Sequence, residues 1–172
     1  MGTSKAALFL DRVVAAARPV FDEVLAVHRA DGEPLPLRTI FEDPHEGEGA
    51  IFGIERALRD ARGKCFVIAV DYPLVTTELL HDLASRFEES SVAALVPEWD
   101  GYPQPLCAGF DSSLLPIVER RIAAGELSVK GLLTEAGARV IPENELRGRY
   151  EGEPLMNVNT PDELEAAEKL YE

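Results

Sequence analysis

The chain has 172 residues, with 17 lysine and arginine against 31 aspartate and glutamate residues, so its formal net charge is −14. This acidic balance argues against nonspecific binding to nucleic acid or to an anionic membrane, because the long-range field repels phosphate. No apolar run is long enough to span a bilayer, and the N-terminus lacks the apolar core of a signal peptide. The length and the hydrophobic content of 46% suit one domain over residues 1–172. Cys65 and Cys107 stand in apolar contexts without paired spacing, which predicts reduced core thiols in a cytoplasmic protein.

The first third of the chain predicts two helices separated by two short strands. Apolar residues at helical spacing predict a helix over residues 6–17, which Pro19 ends. Short strands are predicted over residues 23–27 and 37–41, and a helix over residues 50–59. This part therefore already mixes helices with strands.

An uncharged stretch over residues 65–70 runs directly into Asp71. A continuous apolar run without alternation predicts a parallel strand that is buried on both faces. Pro73 stops this strand, and Thr76 can cap a helix over residues 77–88. Ligands of open α/β sheets bind beyond the carboxyl ends of the strands, where a carboxylate such as Asp71 can hold a metal ion against a phosphate. The alternative is an aspartate that only shapes a turn.

Strands and helices alternate through the rest of the chain. The predicted strands cover residues 92–97, 104–110, 139–141 and 155–159. The predicted helices cover residues 112–124, 129–136 and 161 onward, and Ser128 and Thr160 can cap the last two. An Asp-Gly turn at residues 100–101 joins the first two of these strands. The alternation predicts an α/β fold, a three-layer α/β/α sandwich with a mainly parallel, Rossmann-like sheet.

Only a few residues at the ends of these elements are of types that could bind a ligand or take part in catalysis. Asp71 and Asn159 each close a predicted strand before a helix, so a carboxylate and an amide oxygen could form part of a Mg²⁺ shell. The alternative for Asn157 and Asn159 is turn and cap chemistry. Lys5 precedes a helix and could face a phosphate there, or it could simply be solvated. Gly49 could allow a ligand to approach the backbone, or only allow tight helix packing.

Six segments, taken in chain order, carry a resemblance to a known family. They are residues 1–5 (Met-Gly-Thr-Ser-Lys), 41–54 (with Phe-Glu-Asp and Gly-Ala-Ile-Phe-Gly-Ile), 70–74 (Val-Asp-Tyr-Pro-Leu), 104–106 (Gln-Pro-Leu), 125–130 (Gly-Glu-Leu-Ser-Val-Lys) and 157–164 (Asn-Val-Asn-Thr-Pro-Asp-Glu-Leu). Together they resemble the molybdenum cofactor guanylyltransferase family of MobA-like nucleotidyltransferases, which have a glycosyltransferase-A-like fold. The similarity spans essentially the whole chain.

The resemblance implies an activity and a set of site residues. The implied reaction is the Mg²⁺-dependent transfer of GMP from GTP to molybdopterin, a phosphorylated pterin, with release of pyrophosphate. The implied catalytic residues are Lys5, at the leaving pyrophosphate, and Asp71. The implied nucleotide-binding residues are Gly2, Lys5, Asp43 (at the guanine), Gly49 and Asp71. The implied metal ligands are Asp71 and Asn159, and the implied acceptor-binding residues are Gln104, Ser128, Lys130 and Asn157.

The beginning of the chain departs from the family pattern. The family begins with a strand and a loop of the form LAGGxSxRMGxxK, whereas this sequence starts at the Met-Gly of that loop. That strand would lie in the middle of the sheet, so its neighbours are expected to carry unpaired backbone groups. We favour a start methionine chosen too late in the gene. A homo-oligomer or a partner that completes this region, and a domain that has lost catalysis, remain open.

Two other functions also remain open at this point. One is a sister nucleotidyltransferase that uses CTP or a different phosphorylated acceptor. The other is a degenerate domain that binds a nucleotide or a partner protein without turnover.

Overall fold

The structure is a computed structural model that describes residues 5–29, 31–32, 35–43, 48–150 and 152–169. Helices alternate with strands along the chain. The helices are α1 (Lys5–Ala17), α2 (Ala50–Ala61), α3 (Thr77–Glu88), α4 (Leu115–Ala123), α5 (Val129–Glu135) and α6 (Pro161–Lys169), with short 3-10 helices at Ser112–Leu114 and Glu143–Glu145. The strands are β1 (Ala26–His28), β2 (Thr39–Phe41), β3 (Lys64–Ile68), β4 (Ala94–Trp99), β5 (Tyr102–Pro103), β6 (Cys107–Asp111) and β7 (Arg139–Ile141).

The larger sheet is mixed. Its strands follow the order β3-β6-β4-β5, and β7 pairs with β4. Strand β6 runs antiparallel to both β3 and β4, whereas β7 runs parallel to β4. It follows that β3, β4 and β7 share one direction. Strands β1 and β2 form a separate parallel pair.

Helices cover both faces of the larger sheet, as β4 shows most clearly. Leu95 and Trp99 pack with α1 and α3 on one face, whereas Ala94 and Val96 pack with α2, α4 and α5 on the other. Side chains that alternate in this way belong to a strand with a covered face on each side. The expectation of an α/β sandwich is therefore confirmed.

A cavity of about 880 Å³ separates β1 from β3. Apolar side chains of α1, α2, α3 and the two strands form much of its wall, among them Val13, Val27, Ile54, Phe66 and Ala84. Among the described strands, β1 pairs only with β2, and β3 pairs only with β6. Each strand therefore turns an edge without a described partner strand toward the cavity.

The structure corrects two predictions about strands. The stretch at 65–70 is a strand only as far as Ile68, pairs antiparallel with β6, and is half-buried because its other edge borders the cavity. The strand predicted over 155–159 does not form. That segment is a turn followed by irregular chain, and its apolar Val158 packs with Phe9 and Leu164 instead of within a sheet.

Candidate active site

Asp71 lies in a tight turn between β3 and α3. The N–H of Tyr72 donates to the carbonyl of Ala69 at 3.3 Å, and the N–H of Val75 donates to the carbonyl of Tyr72 at 3.1 Å. The Asp71 side chain is half-buried, and among the described residues it forms no ion pair. Its carboxylate therefore has no described cation to neutralise it.

The segment before α6 meets this turn. The N–H of Val158 donates a 2.9 Å hydrogen bond to the carbonyl of Asp71. Next along the chain, the N–H of Asn159 donates to Glu163 Oε2 at 2.7 Å, and the N–H of Glu163 donates to Thr160 Oγ1 at 3.1 Å. These reciprocal bonds resemble a capping box and fix the start of α6. The structure thus brings Asp71 and Asn159 into one region although 155–159 is not a strand.

This donor set fits a divalent ion that binds together with a nucleotide. Asp71 offers a carboxylate, and the exposed Asn159 side chain offers an amide oxygen. Mg²⁺ is usually held by one or two carboxylates, substrate phosphates and several waters. Over the described part of the chain, no group of three or more His, Cys, Asp or Glu side chains could hold a metal ion. Asp71 and Asn159 would supply two of the oxygen ligands that such a shared ion needs.

The predicted base-pocket residue, Asp43, follows β2 and is exposed. Its Oδ2 atom lies 4.0 Å from Arg59 Nη1, while Arg59 also pairs with Glu55 and Glu119. The contact with Asp43 is the longest of these three, so the guanidinium holds that carboxylate only loosely. Asp43 consequently remains able to accept hydrogen bonds from a ligand.

Gly49 precedes α2 and lies beside the loop that leads into α5. A Cβ atom built on Gly49 would stand 3.6 Å from Leu127 Cβ, which is an ordinary contact. Its φ of 165° is extended backbone that any residue adopts. Neither crowding within the described chain nor backbone conformation requires glycine here.

The predicted acceptor residues Ser128 and Lys130 are exposed at the N-terminus of α5. Ser128 Oγ accepts from the N–H of Gly131 at 3.1 Å, so it caps the helix as the sequence predicted. The Ser128 hydroxyl still has its own hydrogen to donate. A Cβ atom at Gly131 would stand 2.5 Å from Arg121 Nη2. The lack of a side chain at Gly131 therefore lets α5 pack closely against α4.

Gln104, also predicted to face the acceptor, lies between β5 and β6. Its Oε1 accepts from the Tyr72 hydroxyl at 3.0 Å, and its Nε2 donates to the carbonyls of Trp99 at 2.9 Å and Tyr102 at 3.1 Å. Asn157, by contrast, is exposed next to Val158. Asn157 is thus close to the Asp71 region, and Gln104 is linked to it through Tyr72.

Two predicted residues stand at the start of the chain. Gly2 lies outside the described residues. Lys5 begins α1, and its side chain lies outside the described part of the structure.

Sequence reasoning missed the residues that connect these segments. Trp99, the only tryptophan of the chain, donates from Nε1 to Glu153 Oε2 at 2.7 Å. The guanidinium of Arg147 lies 4.5 Å from the centre of the Trp99 ring and also pairs with Glu153. A single tryptophan next to an Asp-Gly turn was the available signal. Its partners lie too far along the chain for local patterns to identify them.

Neither cysteine offers a nucleophile. Burial raises the pKa of the Cys107 thiol to about 12, and burial followed by the charge of Asp111 raises the pKa of Cys65 to about 11. Both thiols are free and protonated at neutral pH. Both cysteines lie in apolar clusters, as the sequence context predicted. In the described part of the chain, no helix has the length and apolar character needed to cross a bilayer.

The fold and this site together define an α/β nucleotidyltransferase. Residues 4–140 match the family described as the MobA-like NTP transferase domain, and the chain belongs to that family. Nucleotidyltransferases of this family generally use a divalent metal ion.

Named relatives agree with this assignment. The chain is 29% identical to a protein of Carboxydothermus hydrogenoformans over 99% of this chain and 90% of that protein. It is 32% identical to a protein of Mycolicibacterium paratuberculosis over 96% of this chain and 83% of that protein. Both are named "Probable molybdenum cofactor guanylyltransferase". The crystal structure of molybdopterin-guanine dinucleotide biosynthesis protein A from Archaeoglobus fulgidus is similar with a TM-score of 0.74 and 31% identity, covering 94% of this chain and 84% of that one.

Proposed function

We propose that this chain transfers GMP from GTP to the phosphate of molybdopterin in a Mg²⁺-dependent reaction. The observation that carries the proposal is the hydrogen bond from the N–H of Val158 to the carbonyl of Asp71, because it brings the backbone of Asp71 next to the Asn157–Asn159 segment. The names of the relatives supply the guanylyl group and the pterin. Family membership supplies the reaction class.

Asp71 and Asn159 would hold the metal ion through a carboxylate oxygen and an amide oxygen. An ion held there would supply positive charge to offset the charge of the triphosphate during in-line displacement. Asp71 suits this role because no described cation competes for its carboxylate. Asn159 suits it because Glu163 fixes its backbone while its side chain is exposed.

The remaining nucleotide contacts would come from the start of the chain and from the α2 side. Lys5 would balance the charge of the departing pyrophosphate, and Gly2 and Gly49 would let the backbone approach the nucleotide. Asp43 would accept hydrogen bonds from guanine N1–H and the 2-amino group. A carboxylate prefers guanine to adenine in this way because adenine presents no such pair of donors.

The acceptor would lie between the α5 N-terminus and the Asp71 region. Ser128 and Lys130 offer a hydroxyl and a cation, and Asn157 offers an amide on the other side. An oxygen of the pterin phosphate would form the new bond to the α-phosphorus of GTP. The bond from that phosphorus to the bridging oxygen of the β-phosphate would break, and pyrophosphate would leave.

We also infer that residues 1–172 form one nucleotidyltransferase-like domain that works in the cytoplasm without nucleic acid or membrane partners. The family match over residues 4–140 and the packing of Leu164 from α6 against Phe9 from α1 support one domain. The two unpaired thiols support a reducing compartment. The net charge of −14 disfavours nucleic acid and anionic lipid.

A thermal-shift panel tests the proposal. The chain is heated with GTP, CTP, ATP or UTP, each with and without Mg²⁺. A ligand at 100 times its Kd adds about 2.7 kcal/mol to stability, which raises the melting temperature visibly. A rise with GTP and Mg²⁺ that exceeds the rise with CTP is the expected result. A larger rise with CTP would indicate the sister activity, and no rise with any nucleotide would overturn the proposal for this chain.

A further inference from the structure

The residue after Asp71 is a buried tyrosine with one specific polar partner. The Tyr72 side chain is only 5% exposed and packs in the core with Leu79 and Trp99. Its hydroxyl lies 3.0 Å from Gln104 Oε1. Because an amide oxygen can only accept, the Tyr72 hydroxyl donates to Gln104.

The Gln104 amide has a fixed orientation. Both of its N–H groups are in use, one toward the carbonyl of Trp99 and one toward the carbonyl of Tyr102. Its own backbone N–H donates to the carbonyl of Pro97 at 2.8 Å. Because the amide nitrogen faces two carbonyls, the amide oxygen must face Tyr72. Gln104 therefore has no N–H left for a substrate.

Further hydrogen bonds lead from Gln104 through Trp99 to the segment that contacts Asp71. Trp99 Nε1 donates to Glu153 Oε2, and the carbonyl of Glu153 accepts from the N–H of Met156 at 3.0 Å. Two residues later, Val158 donates to the carbonyl of Asp71. Asp71 is thus connected to the same segment twice, once directly and once through its neighbour Tyr72.

We propose that Tyr72 and Gln104 are positioning residues that hold Asp71 in the orientation in which it binds the divalent ion. This inference rests on the proposed function, and it assigns Gln104 to the support of Asp71 instead of to contact with the acceptor. The Asp71 side chain has no described ion pair that would fix it, so its orientation depends on its backbone. That backbone is held by Val158 on one side and by the anchored Tyr72 ring on the other.

The test uses Mn²⁺ as the probe ion and the full chain with GTP. Mn²⁺ binding is measured by electron paramagnetic resonance, which does not depend on turnover. Tyr72→Phe removes only the hydroxyl. Removing a group that orients a metal ligand commonly weakens metal affinity about 10-fold, and this is the expected result for Tyr72→Phe.

Tyr150→Phe is the matched structural control. Tyr150 is partly buried and donates one hydrogen bond, to Asp82 Oδ2 at 2.7 Å, and takes no part in the hydrogen bonds between Tyr72 and Gln104. Because its partner is a carboxylate and not a neutral amide, Tyr150→Phe should lower the melting temperature at least as much as Tyr72→Phe while leaving Mn²⁺ affinity unchanged. If the two variants lose Mn²⁺ affinity equally, or if neither loses any, the positioning role is wrong.

A double-mutant cycle isolates the pair. Gln104→Met removes the partner of the Tyr72 hydroxyl, and the Tyr72→Phe change should then add almost nothing further to the loss of Mn²⁺ affinity. Additive losses would contradict the pairing.

Asp71→Ala separates the two proposals. If it abolishes GTP-dependent Mn²⁺ binding while Tyr72→Phe has no effect, only the positioning role fails. If wild type itself binds no Mn²⁺ with GTP, the proposed function and the positioning role both fail.

Discussion

The backbone N–H of Val158 lies 2.9 Å from the carbonyl oxygen of Asp71, and this hydrogen bond joins two segments that are distant in the sequence. Val158 is fully buried between the exposed Asn157 and Asn159. Burial of the valine therefore fixes which way the two asparagines face. The site owes its arrangement to this bond and to the cap of α6, because no strand carries the second segment.

Asp71→Asn should separate function from stability. The variant keeps the shape of the side chain but loses the negative charge that holds the cation, so metal-dependent turnover should fall about 100-fold or more. Stability should change by no more than about 0.5 kcal/mol, because the carboxylate has no described ion pair. Initial rates and urea unfolding measure the two effects. Asp31→Asn, whose side chain is 85% exposed, is the control and should change neither. Unchanged turnover in Asp71→Asn would remove this residue from the metal site.

Thr160→Ala should loosen the start of α6. Thr160 Oγ1 accepts from the N–H of Glu163, so the variant loses an N-cap that is worth about 1 kcal/mol. The loss should be visible in urea unfolding. Thr134→Ala is a suitable control, because the Thr134 hydroxyl only donates back to the carbonyl of Lys130 within α5. Equal stability of Thr160→Ala and wild type would show that this cap contributes nothing.

The rate of amide hydrogen exchange should alternate between slow and fast from one residue to the next along β3. The N–H of Ala69 donates to the carbonyl of Leu106, and in an antiparallel pair every second residue faces the same partner. Cys65 and Val67 therefore face β6, whereas Phe66 and Ile68 direct their N–H groups toward the cavity. We expect the first pair to exchange slowly and the second pair rapidly. Uniform protection along β3 would mean that its second edge is paired in solution.

The fall in the free energy of unfolding at acid pH should depend on Asp82. Burial opposes ionisation of this carboxyl, but hydrogen bonds from Arg86 and Tyr150 and the nearby charge of Arg149 outweigh burial and lower the pKa of Asp82. A lowered folded-state pKa stabilises the fold above about pH 4, and this contribution disappears as the pH falls through the folded-state value.

Asp82→Asn tests this dependence. It should cost about 1.5 kcal/mol near pH 7, and the difference from wild type should shrink below about pH 4. Urea unfolding at several pH values measures both effects. A difference that stays constant down to pH 2.5 would contradict the account.

Local sequence signals predicted the helices and their caps well. Thr76, Ser128 and Thr160 each accept a backbone hydrogen bond at a helix start, as the sequence indicated. The Asp100–Gly101 turn also forms, with positive φ at both residues. These features depend on neighbours within three or four residues, so the sequence alone carries them.

Long-range pairing was not predictable in the same way. The uncharged run at 65–70 indicated a strand that is buried on both faces. The burial of a strand also depends on which strands lie beside it, and β3 has only β6 as a described partner. The apolar residues at 155–159 suggested a strand, although their partners are helix side chains such as Phe9. The bond between Tyr72 and Gln104 requires the β4–β6 arrangement to exist first.

The central claim is that this chain cleaves GTP between the α- and β-phosphates and moves GMP to a pterin phosphate. The most direct measurement follows the label from [α-³²P]GTP in the presence of molybdopterin and Mg²⁺. The account predicts that label enters the pterin product, that pyrophosphate is released in equal amount, and that Asp71→Asn lowers both about 100-fold or more. Transfer of label from [α-³²P]CTP in preference to GTP, or no transfer from either nucleotide, would contradict it.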